Sequence, residues 1–222
     1  MEKPHISSSS ERTTISFYTL DDSVKNTVQE TLKEIVKKYD HPLSRQENID
    51  VIYTCLKELM VNASKSNIKK TFFIEAQINE KDKEIYEKAK QSFKKILTDK
   101  YFAYLREKLK KHNAYVQVEF EEKEGGIVIK VYNNHPLWEE EEKTIRDALK
   151  KALSNQNPNL TLYYTESENH EGAGLGLMLI IHLLREVGID PRLFRIGVVE
   201  GKTMARIEIP FSAEYKPLRK YP

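Results

Sequence analysis

Three polar side chains recur along one predicted helix at a spacing that places them on a single face. Glu58 and Asn62 are four residues apart, and Lys65 follows three residues later, so all three lie on one side of an α-helix. An amide oxygen beside a carboxylate suits hydrated Mg²⁺, which prefers oxygen ligands and shares them with phosphates. The spacing predicts a Mg²⁺-phosphate site, with Lys65 neutralising phosphate charge and Glu58 acting as general base. The alternative is an ordinary solvated helix face.

A glycine-rich turn opens a later helix. Gly172, Gly174 and Gly176 alternate with Ala173 and Leu175. Glycines let a backbone approach a ligand closely, and the exposed amides at a helix start bind phosphate. The turn follows no predicted strand directly and lacks Gly-Lys-Ser/Thr, which argues against a Rossmann fingerprint and a P-loop. The alternative is a tight helix entry in which glycine serves packing alone.

Taken in this order, the two motifs resemble the boxes of the GHKL ATPases, the group of gyrase, the heat-shock chaperone, histidine kinases and MutL. The stretch from Glu58 through Asn62 to Lys65, read as Glu-x-x-x-Asn-Ala-x-Lys, resembles the N box. Gly-Ala-Gly-Leu-Gly-Leu at 172–177 resembles the G2 box. The Gly-Lys-Thr at 201–203, before an alternating strand, is similar to the last conserved segment of the family.

The resemblance covers about residues 45–67 and 114–210, and it implies the Bergerat fold, in which ATP lies between helices and sheet under a flexible lid. The implied cofactors are ATP and Mg²⁺. Asn62 would coordinate the metal, Glu58 would stand where some members place a general base, and residues 154–171 would form the lid. The residues implied to contact the nucleotide are Asn62, Lys65, Asn133, Gly172, Gly174, Leu175, Gly176 and Thr203.

One family box is altered. The G1 box, Asp-x-Gly-x-Gly after a strand, falls on residues 133–137, where Asn133 replaces the Asp and His135 and Leu137 replace both glycines. The family Asp accepts a hydrogen bond from the adenine amino group. A neutral amide accepts a weaker bond than a carboxylate, by about 1 kcal/mol. His135 and Leu137 also add side chains beside the expected base pocket.

Two functions therefore stay open. The first is an ATP-binding, histidine-kinase-like domain in signal transduction that transfers phosphate to a side chain of a partner protein. Its closest branch is the anti-sigma-factor serine kinases, because a strand and a helix directly precede the helix that carries Glu58. The alternative is a catalytically inactive protein–protein binding module of the same fold, with weak or no nucleotide binding. Whether the protein is an enzyme, what it phosphorylates and whether it forms a homodimer stay open as well.

Hydrophobic periodicity predicts the elements that must position these residues. The fold class is α+β, most simply a two-layer α/β sandwich with helices on one sheet face. The predicted elements are strands at 14–20, 114–120, 127–132, 194–199 and 204–209, and helices at about 23–39, 45–66, 139–153 and 175–187. The predicted organisation is a disordered lead-in at 1–13, one domain at 14–211 with a helical insertion at about 68–112, and a flexible tail at 212–222.

The insertion has two interpretations. It is a partner-docking surface anchored by Phe93, Tyr101, Phe102 and Tyr104, or a charged helical hairpin that packs on the sandwich. The first fits a protein partner in a signalling pathway, since aromatic side chains dominate binding energy at interfaces.

The amino-acid composition argues against several classes of function. The 222 residues include 36 Lys and Arg against 34 Asp and Glu, a net charge of +2, which argues against a nucleic-acid partner. No stretch approaches the roughly 20 apolar residues that span a bilayer, so no membrane role is expected. A single cysteine, Cys55, excludes a disulfide framework and suits a cytoplasmic location.

Overall fold

The computed structural model describes residues 3–78, 85, 88, 106–154 and 175–218. The fold is α+β, as predicted, and is built on a six-stranded antiparallel sheet of order β1-β2-β3-β4-β6-β5. Its strands are β1 (His5–Ser8), β2 (Arg12–Phe17), β3 (Val116–Lys123), β4 (Gly126–Asn133), β5 (Phe194–Val199) and β6 (Lys202–Pro210). Its helices are α1 (Asp22–Val36), α2 (Gln46–Glu75), α3 (Glu139–Ser154) and α4 (Leu175–Glu186).

The helices share one apolar core with one face of the sheet. Along β3 the alternate residues Val116 and Phe120 are fully buried, and they belong to the same cluster as Leu56 of α2 and Ile180 of α4. The intervening strand residues face the other way, where charged pairs cross the strands. The two-layer arrangement follows from this alternation, because successive side chains on a strand point to opposite faces.

The predicted strands and helices that flank the site are confirmed. Asp21 caps α1 by accepting a hydrogen bond from the Val24 amide at 3.0 Å, which satisfies one free N–H of the helix start. The hairpin of β3 and β4 turns at Gly125, whose positive φ of 72° suits glycine. In the resulting register Asn133 pairs with Val116 on one side and with Thr203 on the other.

The helix that carries the N-box residues is longer than predicted. We expected it to end near residue 66, with an insertion from 68, but α2 runs to Glu75. No glycine or proline interrupts residues 66–75, and Lys70 and Phe73 in this stretch are buried. Part of the predicted insertion therefore packs on the domain, where Phe73 and Trp138 form a small apolar cluster apart from the main core. Residues 106–111 are helical, and the four predicted aromatic anchors lie outside the described residues.

Both chain ends are more ordered than expected. The lead-in is not disordered over His5–Ser8, because this stretch forms β1 and pairs with β2. The predicted flexible tail folds back over residues 212–218, where Tyr215 is buried and donates its hydroxyl to Glu208 at 2.7 Å. A side chain at Gly126 would meet the Tyr215 ring at 2.4 Å, so the tail packs directly on the hairpin turn.

A candidate nucleotide site

Glu58 links the two predicted motifs. Asn62 donates its Nδ2 to Glu58 Oε1 at 3.1 Å, as the spacing of four residues on α2 predicts. A Cβ added at Gly176 would lie 2.1 Å from the same Oε1 and 2.9 Å from Cδ. The carboxylate therefore lies directly against the backbone of the first turn of α4. The fold brings the helix of the N-box residues to the start of the helix that follows the glycine-rich turn.

The structure describes only some of the other residues that we predicted to contact the phosphates. Lys65 lies on α2, one turn beyond Asn62, and its side chain is exposed. Leu175 begins α4. Gly172, Gly174 and the predicted lid at 155–171 lie outside the described residues, whereas Ser154, at the start of the predicted lid, ends α3.

The geometry of Glu58 and Asn62 fits a divalent cation. A carboxylate only accepts hydrogen bonds, so the Asn62 amide must turn Nδ2 toward Glu58 and leave Oδ1 as an acceptor. Asn62 is exposed and Glu58 half-buried, so both oxygens are accessible. No three His, Cys, Asp or Glu side chains in the described ranges cluster as metal ligands. A Mg²⁺ here would thus be held by Asn62 together with phosphate oxygens and water.

The two residues predicted to contact the nucleotide base already form hydrogen bonds within the protein. The His135 carbonyl accepts from Asn133 Nδ2 at 3.3 Å, from Thr203 Oγ1 at 2.7 Å and from the Thr203 amide at 3.0 Å. Asn133 is only 3% exposed and Thr203 6%. The fold brings the two residues together as neighbours on β4 and β6, but the carbonyl of the following turn occupies their donors.

Sequence reasoning missed a charged and aromatic cluster beside this turn. Lys70 of α2 donates to the Pro136 carbonyl and lies 3.6 Å from Glu141 and 5.1 Å from the centroid of the Trp138 ring. Trp138 stacks on Phe73 with ring centroids 5.7 Å apart. We refer to Lys70, Phe73, Pro136, Trp138 and Glu141 as the turn clamp. The sole tryptophan of the chain, placed directly after the altered box, was the signal available.

Burial and charge set the protonation states around the turn. Desolvation and the nearby Lys70 ammonium lower the pKa of His135, which keeps the imidazole neutral at pH 7. Burial opposes ionisation of Glu141, yet Lys69 and Lys70 hold the pKa of this carboxyl below its usual value. The clamp is therefore an ionised pair beside a neutral ring. Within the described part of the chain, His135 Nε2 is buried and has no hydrogen-bond partner.

A cavity of about 370 Å³ lies at the far end of the sheet. Its lining includes His41, Gly188, Pro210 and Phe211. Pro210 pairs with the first residue of β4, whereas Asn133 is the last. The cavity is therefore separate from the candidate nucleotide site and contains none of the predicted site residues.

The chain resembles an uncharacterized protein of Treponema pallidum (strain Nichols), with 28% identity over 200 residues. The matched region is 90% of this chain and 38% of that protein, so the chain spans well under half the length of this relative. No protein-family model matches the chain, and no solved structure matches it at a significant level. In the described part of the chain, no helix is both long and apolar enough to cross a membrane.

Proposed function

We propose that this protein is a Mg²⁺-nucleotide-binding domain with the Bergerat fold of the GHKL ATPases, acting in signal transduction. The observation that carries the proposal is the contact of Glu58 with both Asn62 and Gly176. These residues come from two motifs that lie far apart in the sequence. Their meeting creates one place where a cation ligand, a carboxylate and a helix start converge, which is what a triphosphate requires.

The residues of this site have separate roles in the proposal. Asn62 holds Mg²⁺ through Oδ1, and Lys65 and the amides at the start of α4 neutralise phosphate charge. Mg²⁺ held by Asn62 would supply positive charge that offsets the charge developing on the phosphoryl group during transfer. Glu58 accepts the proton of the attacking hydroxyl as general base. The acceptor is a side chain of a partner protein, as in the anti-sigma-factor serine kinases that the sequence resembles.

A second candidate function has its own support. The His135 carbonyl occupies the donors of Asn133 and Thr203, the two residues that the family resemblance assigns to the base. A protein–protein binding module that retains the fold without catalysis accounts for this contact. It binds its partner with the same affinity whether or not nucleotide is present.

We propose further that the protein acts in the cytoplasm and binds a partner protein of a signalling pathway. Cys55 is fully buried, and burial raises the pKa of its thiol to about 12. A thiol this deeply protonated reacts little at neutral pH. The chain has one cysteine and so no internal disulfide, which suits a reducing compartment.

Thermal unfolding with and without Mg²⁺ and ADP, or a non-hydrolysable ATP analogue, tests the proposal. A ligand at about 100 times its dissociation constant adds roughly 2.7 kcal/mol to the free energy of unfolding. For a chain of this size we expect the midpoint to rise by about 5–10 °C. The Asn62→Ala variant should lose the Mg²⁺-dependent part of this rise while keeping its unliganded midpoint.

Asn26→Ala is a matched control, because Asn26 is an exposed asparagine on a different helix, α1. It should retain the full shift. An Asn62→Ala variant that binds as well as the wild type would contradict the assignment of the metal ligand. No shift at millimolar nucleotide would favour the binding module.

A further inference from the structure

We propose that the site recognises the Mg²⁺-triphosphate part of a nucleotide and does not discriminate among bases. The inference rests on the proposed nucleotide-binding function and specifies its substrate class. It concerns the end of β4 and β6, where Asn133 and Thr203 meet the turn at His135. A site that selects one base by hydrogen bonding needs polar groups reserved for that base, and here the side-chain donors of both residues are engaged within the protein.

The His135 carbonyl is the shared acceptor for the side chains that would recognise a base. It receives Thr203 Oγ1 at 2.7 Å and Asn133 Nδ2 at 3.3 Å. One hydrogen of Asn133 Nδ2 and the hydroxyl hydrogen of Thr203 are therefore committed to this carbonyl while the contact persists. The two side chains are 94% or more buried, which leaves little of either to meet a ligand.

The turn that supplies this carbonyl is held in place by the turn clamp. Lys70 is 3% exposed and donates to the Pro136 carbonyl, next to His135. The same ammonium lies 3.6 Å from Glu141, and the Trp138 ring stacks on Phe73 at an interplanar angle of 8°. Withdrawing the carbonyl from Asn133 and Thr203 would disturb this buried charged cluster. A base therefore meets an edge whose side-chain donors are engaged and whose side chains are largely buried.

Among the residues that the structure describes, the phosphate side is not blocked in this way. Asn62 is exposed, and the hydrogen bond it donates to Glu58 leaves its Oδ1 directed away from the carboxylate. Lys65 on the same helix face is exposed as well. Charge-assisted contacts to phosphate are roughly twice as strong as neutral hydrogen bonds. Recognition is thus concentrated on the triphosphate and its metal, which every nucleoside triphosphate shares.

Isothermal titration of the full chain with the Mg²⁺ complexes of ATP, GTP, CTP and UTP, and with inorganic tripolyphosphate, tests the inference. We expect the four nucleotides to bind within about tenfold of one another, because they share the triphosphate and its metal, whereas a site that reads one ligand by hydrogen bonds rejects the others by roughly 10⁴-fold. Tripolyphosphate should compete with all four. Binding of ATP more than 100-fold tighter than the other three would overturn the inference while leaving the proposed function intact.

Thr203→Val provides the matched variant, because valine keeps the side-chain volume and the main-chain N–H that also bonds to His135. The ratio of affinities among the four nucleotides should stay unchanged in this variant, even if its midpoint of unfolding falls. A loss of affinity confined to ATP would show that Thr203 reads the base and would overturn the inference. Failure of every phosphate compound to bind the wild type would overturn both the proposed function and this inference.

Discussion

Gly176 is the residue at which the two halves of the candidate site touch most closely. A Cβ at this position would lie 2.1 Å from Glu58 Oε1 and 3.1 Å from Cγ. Real Cβ atoms do not approach this closely, so any side chain here must move the carboxylate. The displaced atoms form the end of a flexible side chain, which makes the movement easy. We therefore expect a side chain at residue 176 to displace the Glu58 carboxylate but to change the stability of the fold little.

Gly176→Ala separates these two effects. We expect the free energy of unfolding to change by less than about 1 kcal/mol, because alanine also favours a helix over glycine. The affinity for Mg²⁺-nucleotide should fall by about tenfold as the carboxylate leaves Asn62, since this corresponds to the loss of one hydrogen bond of roughly 1.4 kcal/mol. Chemical denaturation and isothermal titration on the same sample measure the two quantities.

Gly197→Ala is the control for this experiment. A Cβ at Gly197 meets nothing within 4 Å, and the residue lies on β5, away from Glu58. It should bind nucleotide like the wild type. Equal affinities in both variants would contradict the role assigned to the contact with Gly176.

At the scale of elements, the extra length of α2 gives the protein its turn clamp. The last turns of the helix carry Lys69 and Lys70 to the start of α3, where Glu141 lies 2.9 Å from Lys69. The Glu141 carboxylate also accepts from the Trp138 amide at 3.1 Å. One side chain thus joins the end of α2 to the start of α3. A shorter helix ending near residue 66 would leave the turn at His135 without this support.

Glu141→Gln tests the clamp through its dependence on pH. The amide keeps the size and the acceptor of the carboxylate but removes its charge, so we expect a loss of about 1–2 kcal/mol in the free energy of unfolding at pH 7. The pKa of Glu141 is lowered in the folded protein, so its contribution is present above the unfolded pKa near 4.3 and is lost as the pH falls toward the folded value. The difference in the free energy of unfolding between the variant and the wild type should therefore become smaller below about pH 4.

Urea unfolding at pH 7 and at pH 3.5 measures this difference. Glu139→Gln serves as the control, since Glu139 lies two residues earlier on α3 and its side chain is exposed. It should leave stability nearly unchanged at both pH values. If the free energies of unfolding of the wild type and Glu141→Gln differ by the same amount at both pH values, the charge of Glu141 does not stabilise the clamp.

At the scale of the whole molecule, stability is concentrated in the centre of the sheet. Strands β3 and β4 bury eleven of their sixteen residues, whereas the four residues of β1 are all exposed. Ile6 on β1 is 51% exposed, while its partner Ile15 on β2 is 0% exposed. The outer strand therefore adds backbone hydrogen bonds but little buried apolar surface.

Removal of residues 2–8 should consequently have a small effect. We expect the free energy of unfolding to fall by less than about 1 kcal/mol, because an exposed strand adds little buried apolar surface. Ile15→Ala on the next strand should lose about 2–5 kcal/mol through the cavity it creates. Nucleotide affinity should be unchanged on truncation, since two strands separate β1 from β4. A loss of several kcal/mol on truncation would contradict this division of stability.

The sequence by itself determined the features that depend on near neighbours along the chain. Periodic apolar residues predicted the helices, and alternating residues at 114–120 and 127–132 predicted the strands β3 and β4. The spacing of Glu58 and Asn62 predicted that they share one helix face, because side chains four residues apart on a helix are neighbours whatever surrounds them.

Only the tertiary structure decided what the distant segments do to one another. The continuation of α2 to Glu75 depends on packing against Trp138 and Glu141, and the strand at β1 depends on a free edge of β2. The hydrogen bonds that Asn133 and Thr203 donate to the His135 carbonyl depend on the register of β4 and β6. Such contacts join residues far apart in the chain, so no local pattern records them. The sequence placed the polar groups, and the fold decided which of them remain available to a ligand.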